Sequence, residues 1–305
     1  MTFLILDNRD ESKLHGAQPG GLEHHGRLLA ALDGVDAART IDFDGLIAPR
    51  ASREHLELVH TAAYLDAVQR AVHAAPMIGA PFHDEVVVYP GSWDAALTAA
   101  GGAIRGMEAL LRGEARCAFV AGRSPGHHAE PDRAMGFCLL SNAALAARVA
   151  ALEGLRVAVL DIDIHNGNGT ERALAGKPNT LFTELFLEGH PENSYPYPKD
   201  LTPPASNALR VGLPLGSSGD TWVDAFEQGI LPSLKAFRPD VIVCSAGFDC
   251  MSGDPVGGFA VTPNDIYRIT RRLAAFERPV LSLLEGGYSL TNITRGVAAH
   301  LTALR

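Results

Sequence analysis

The chain has 305 residues, 47% of them apolar, and a net charge of −9; no long Pro/Ser tract, like-charge block or repeat divides it. That composition suits one large α/β domain over 1–305 and argues against a polyanionic partner such as nucleic acid. The first residues carry no basic n-region, no stretch is apolar enough to span a bilayer, and Cys117, Cys138, Cys244 and Cys250 form no Cys-x-x-Cys pair; the expectation is a soluble cytoplasmic protein with reduced thiols and no membrane partner.

In chain order, the hydrophobic pattern predicts a strand over 2–6, a helix over 93–111, a strand over 117–120 and a helix over 142–152. Strands are predicted over 157–161, 180–182 and 208–213, then a helix over 222–237, a strand over 241–245 and a helix over 264–277. A strand over 280–284 and a helix over 291–304 complete the pattern. This alternation argues for a mostly parallel sheet with helices on both faces. Unusual polar loops follow four of the strands, at 122–128, 161–168, 247–249 and 285–288. Ligands in open α/β sheets bind beyond the carboxyl ends of the strands, so the four loops point at one site.

Asp161-Ile162-Asp163-Ile164-His165 lies where a strand should run out, and alternation would put Asp161, Asp163 and His165 on one face. Two carboxylates and an imidazole are costly to bury together unless a cation neutralises them, and a divalent metal does so. Asp249, in a Gly-flanked turn after a strand, is the natural third ligand. Asp163, His165 and Asp249 would leave a position for water, as in a catalytic zinc site, though ferrous iron or cobalt also suits two oxygens and one nitrogen. The plain alternatives are a solvated acidic loop and an Asx-turn.

His127-His128 follows the rigid Pro125-Gly126, and a water on a Lewis acid needs a nearby base, for which neutral His is the usual choice. The pair could instead supply two more ligands, or be surface histidines as His24-His25 could be. Asp161 and Asn168 could orient the two rings, and the Tyr288 hydroxyl could donate to a developing oxyanion. Gly122-Arg-Ser-Pro-Gly126 matches a nucleophile elbow, but such an elbow opens directly into a helix and Gly126-His127-His128 is poor helix-starting material. Ser124 is therefore set aside. Cys250 adjoins Asp249 and could line the cavity.

Four motifs in order, at 123–138, 161–170, 245–255 and 285–288, resemble the zinc-dependent histone deacetylase superfamily. The likeness is to its class II branch, which includes bacterial deacetylase-like amidohydrolases and acetylpolyamine amidohydrolases. The resemblance implies the arginase-like α/β fold and hydrolysis of an acylated amine, with one Zn2+ per chain on Asp163, His165 and Asp249. It makes His128 the general base and then acid, His127 an electrostatic aid, Asp161 the orienter of His127 and Asn168 that of His128. Tyr288 would polarise the acyl carbonyl, Phe137 with Gly136 would line an acyl-lysine tunnel, and Arg27 resembles the arginine near an internal exit channel.

The chain departs from the family at Asn166, where a second histidine is usual, which implies altered packing rather than lost catalysis. Glu184-Leu185-Phe186 replaces Ser-Leu-His, which puts a bound K+ in question. Phe186 and the loop 190–199, with Tyr195 and Tyr197, would reshape the rim, and Val256 stands where polyamine-selective relatives place a glutamate. The expected activity is removal of an acetyl or short acyl group from an amine such as acetyl-lysine; acetylpolyamines and small-metabolite amides stay open, as does a homo-oligomer. A two-metal ureohydrolase would need bridging acids that the histidine loop and Asp249 turn lack. The non-enzymatic alternative is a zinc-containing binding protein without turnover.

Overall fold

The computed structural model describes residues 3–17, 21–38, 43–83, 85–190, 194–197 and 202–305. Its strands are β1 (Phe3–Asp7), β2 (Phe43–Ile47), β3 (Ala80–His83), β4 (Val86–Val88), β5 (Cys117–Ala121), β6 (Val157–Asp161), β7 (Thr180–Leu187), β8 (Ala208–Leu213), β9 (Val241–Ala246) and β10 (Val280–Leu284). The helices are α1 (Arg9–Leu14), α2 (His25–Ala37), α3 (Arg53–Leu56), α4 (Ala62–Ala74), α5 (Ser92–Leu111) and α6 (Asn142–Leu152), followed by α7 (Asn168–Leu174), α8 (Gly219–Ala225), α9 (Leu231–Phe237), α10 (Pro263–Ala274) and α11 (Leu290–Ala303). Eight strands form one sheet in the order β2-β1-β5-β10-β9-β6-β7-β8, while β3 and β4 pair separately as an antiparallel ribbon. Every pairing within the large sheet is parallel.

Side-chain alternation divides the core in two. Phe3, Phe119, Leu160 and Cys244 face a layer that includes α2, α10 and α11, with Trp222, Phe226 and Leu234 of the α8–α9 segment. Leu6, Val120, Val159 and Val243 face α5 and α6, whose contacts are mostly alanines. Such small side chains let a helix lie close against the strands. The central strands β5, β6, β9 and β10 are buried along their whole length, which is why they read as continuous apolar runs. On α11, His300 is fully buried, with Nδ1 2.9 Å from Thr270 Oγ1 of α10 and Nε2 2.7 Å from Ser282 Oγ of β10.

Two expectations need correction, and a third reaches beyond the described residues. β7 runs to Leu187 rather than stopping at 182, because Glu184 is a buried strand residue in register with Asp161. The helix expected over 222–237 is two helices joined by a π-helical turn at Phe226–Ile230, just before Pro232. Proline has no N–H for the carbonyl four residues back, and the wider turn absorbs that mismatch. The strand expected from residue 2 is described from Phe3; Thr2 lies outside the described residues. Also present are β2, β3, β4 and the helices α1–α4 and α7, none of them expected.

Candidate active site

β5, β10, β9 and β6 are consecutive in the sheet, so the loops leaving their carboxyl ends meet. Hydrogen bonds between the loops set their relative positions. Asp161 ends β6, and its Oδ1 accepts from Asp163 N at 3.0 Å. Ile164 N donates to Asp249 Oδ1 at 3.0 Å, tying the β6 loop to the β9 loop, and Gly286 N donates to Asp163 Oδ2 at 2.7 Å from the β10 loop. Only glycine serves at 286, since a Cβ there would intrude on the carboxylates of Asp163 and Asp249.

Asp163, His165 and Asp249 each offer a ligand atom, and these lie within 4.8 Å of one another. His165 Nδ1 is 3.1 Å from Asp163 Oδ1 and 3.2 Å from Asp249 Oδ2. Its hydrogen bond goes to Asp163, and Asp249 Oδ2 is buried without a hydrogen-bond partner. Burial and the facing charge of Asp163 push the Asp249 carboxyl up to about 7. Burial alone would lower His165, but its hydrogen bond to Asp163 and the facing carboxylates of Asp163 and Asp249 hold it up at about 10. An orphaned carboxylate oxygen within a mixed oxygen–nitrogen donor set fits a divalent cation such as zinc.

Beside this cluster, His127 Nδ1 lies 3.0 Å from Asp161 Oδ2, and His128 Nδ1 lies 2.9 Å from Asn168 Oδ1. The ring centroids are 3.9 Å apart. Burial opposes charge on both rings, but Asp163 and Asp161 hold His127 well above the ordinary histidine value. His128 faces a neutral amide and sits beside His127 and His165; burial and these two neighbours drive it well below. Glu285 anchors the histidine loop, its Oε2 accepting from Gly126 N at 2.7 Å and His127 N at 3.1 Å.

Tyr288 is held by its backbone. Asp254 Oδ2 accepts from Tyr288 N at 2.7 Å and Ser289 N at 2.9 Å, while Arg27 donates to the carbonyls of Glu285 and Gly287 and stacks 4.9 Å from the Tyr288 ring centroid. Phe137 meets the same ring edge-on at 6.1 Å. Phe137, His165 and Val256 line a cavity of about 480 Å³ together with Leu22, Glu23 and Tyr89. Gly136 has φ +47° and presses on His128, where a Cβ would collide with the imidazole.

With this geometry in view, comparison with known families is decisive: the histone deacetylase domain matches residues 21–304. The chain belongs to the histone deacetylase family. It is 36% identical to the histone deacetylase-like amidohydrolase of Pseudomonas aeruginosa over 79% of this chain and 65% of that protein. It is 29% identical to acetylpolyamine amidohydrolase 1 of the same species, over 93% of this chain and 94% of that one. The crystal structure of the HDA15 HD domain superposes with TM-score 0.88 at 30% identity, covering 98% of this chain and 90% of the other. The chain spans 65% of the length of the first relative and between 27% and 47% of the plant and fungal deacetylases that it matches next.

Within this family fold, all ten expected site residues converge. Two departures resolve into one contact, since Asn166 Nδ2 donates to Glu184 Oε1 while Gly167 N donates to Glu184 Oε2 at 2.8 Å. Burial and Asp161 push the Glu184 carboxyl up to about 8. The rim expectation changes for Tyr195: its ring lies 4.7 Å from that of His128, edge to face, so it is a wall of the site. Residues 191–193 and 198–199 of that loop lie outside the described residues. Sequence reasoning missed Glu285, Asp254 and Glu130 as supports, and Arg123, which donates to Glu23 and to the carbonyls of Ser12 and Gly16. Each sits within or beside a motif, but its partner is remote in sequence.

Proposed function

We propose that this protein is a zinc-dependent amidohydrolase that removes an acetyl or short acyl group from an acylated amine such as acetyl-lysine. The observation that carries the reading is the buried Asp163–His165–Asp249 cluster beside two histidines of opposite protonation preference. Those three residues would hold one zinc ion, which when bound supplies Lewis-acid polarisation of the carbonyl and acidifies a water.

The chain's own groups do the rest. His128 is neutral, with its Nδ1 engaged by Asn168, so Nε2 accepts the proton of the attacking water and later delivers it to the departing amine. His127, charged and paired with Asp161, contributes a fixed positive field beside it. The Tyr288 hydroxyl is kept protonated by burial and donates to the developing oxyanion. Phe137 and Tyr195 flank the acyl group and exclude water.

Val256 makes part of the cavity wall apolar, which favours a neutral acyl-lysine stem. The near-complete match to an acetylpolyamine amidohydrolase supports acetylpolyamine as the second reading. A reducing cytoplasm suits four buried, unpaired cysteines; among the described residues no helix is long and apolar enough to cross a membrane. A bound K+ is not part of the proposal, because the Glu184 carboxylate is already engaged by Asn166 and Gly167.

The test combines metal analysis with hydrolysis of acetyl-lysine, trifluoroacetyl-lysine and acetylpolyamine amides. One zinc per chain, loss of turnover on chelation and its return with zinc are expected. Amide cleavage that survives complete removal of metal would overturn the reading, and a full zinc site that cleaves no acyl amide would make the protein a binder.

A further inference from the structure

Asn168 opens α7 and meets three partners. Its Oδ1 faces His128 Nδ1 at 2.9 Å, and its Nδ2 donates to Glu130 Oε1 at 3.1 Å and to Met135 Sδ at 3.5 Å. Glu130 is buried, and its other oxygen accepts from Arg172 NH1 at 2.6 Å, one helical turn beyond Asn168. A side-chain amide has one accepting and one donating end, and the two orientations are far from equivalent here. Turned over, Asn168 would set its carbonyl oxygen against the Glu130 carboxylate and its NH2 against the His128 ring.

We propose that Glu130 is a positioning residue: by locking the amide of Asn168, it fixes His128 in the tautomer that carries its proton on Nδ1 and leaves Nε2 free. With Asn168 Oδ1 forced toward the ring, Nδ1 must be the donor. His127 needs no such lock, because its partner Asp161 presents oxygen in either orientation. Arg172 belongs to the device, since its guanidinium, 2.6 Å from Glu130 Oε2, holds that carboxylate in place and leaves Oε1 aimed at the Asn168 amide. The effect on turnover rests on His128 acting as the base proposed above, whereas the tautomer does not.

The experiment exchanges donor and acceptor. In Glu130→Gln, Arg172 takes the new carbonyl oxygen, so an NH2 group faces Asn168 and turns its amide over. Asn168→Asp alone brings two carboxylates together. The double variant restores a complementary pair, with the new amide donating to the new carboxylate and that carboxylate accepting from His128 Nδ1–H. Each single variant should lose about 10- to 100-fold in kcat, and the double should recover to within about tenfold of the parent, with zinc content unchanged in all.

Ring nitrogen NMR of His128 reads the tautomer without any turnover: Nδ1–H in the parent and the double variant, Nε2–H in Glu130→Gln. An Nε2–H parent overturns the proposal whatever the variants do, as does a double variant no faster than the slower single. Should the parent cleave no acyl amide and the tautomers still follow this pattern, the lock stands and the hydrolase reading falls.

Discussion

His127 and His128 share a loop, with ring centroids 3.9 Å apart, yet the fold gives them opposite characters. Asp161, at the end of β6, gives His127 a charged partner. Asn168, at the start of α7, gives His128 a neutral one. One ring is therefore held as a cation and its neighbour as a free base. The lesson is that a histidine's role is set by the element delivering its partner, not by its place in the sequence.

The strongest way to break the comparison is to remove the ring given the base role. His128→Ala should cost about 10²- to 10⁴-fold in kcat while zinc stays bound, measured by steady-state kinetics and elemental analysis. Tyr288→Phe removes an oxyanion donor from outside the pair and should cost about 10²- to 10³-fold in kcat. Asp161→Asn makes the first pair resemble the second; left with the pull of Asp163 but without its hydrogen-bonded carboxylate, His127 loses part of its bias toward the cation, and activity should fall about 10- to 100-fold. An Asp161→Asn enzyme at full rate would show that the asymmetry plays no part in turnover.

His300 sharpens the comparison from outside the site, because it is buried between the hydroxyls of Thr270 and Ser282 and, among the described residues, no carboxylate pairs with it. Burial pushes its pKa down to about 4 from an ordinary 6.5. The unfolded chain therefore binds a proton that the folded chain refuses, and stability falls as pH drops from about 6.5 toward 4, by up to about 1.4 kcal/mol per unit. Urea unfolding across that range should show the slope, and His300→Gln should reduce it.

Much of this arrangement is legible in the sequence, and the exceptions share physical causes. β6, β8 and β10 and helix α6 have the expected bounds because their apolar or alanine-rich runs end at a polar residue or, for β8, at Pro214. β2 carries no such signal: Phe-Asp-Gly-Leu-Ile is exposed throughout at the sheet edge and is held by its backbone pairing to β1. α2 was hidden by His24-His25, where His24 Nδ1 accepts from Gly26 N and caps the helix. At the site, the candidate ligands and the two histidine rings were readable as a cluster because they fall in short motifs. Glu285 and Glu130 were not readable as supports, because a carboxylate's hydrogen-bond partners depend on which loops the sheet order brings together. Glu184, expected beyond the end of its strand, lies within β7 and is a buried anchor for the loop that carries His165 and Asn168.

The position of β10 has a consequence for biosynthesis. It follows every other strand in the sequence, yet it lies between β5 and β9 at the middle of the sheet. Until residues 280–284 leave the ribosome, the nascent protein holds two half-sheets with open flanks, each a template for mispairing with another chain. A chaperone that shields such flanks would matter most between the emergence of β9 and that of β10.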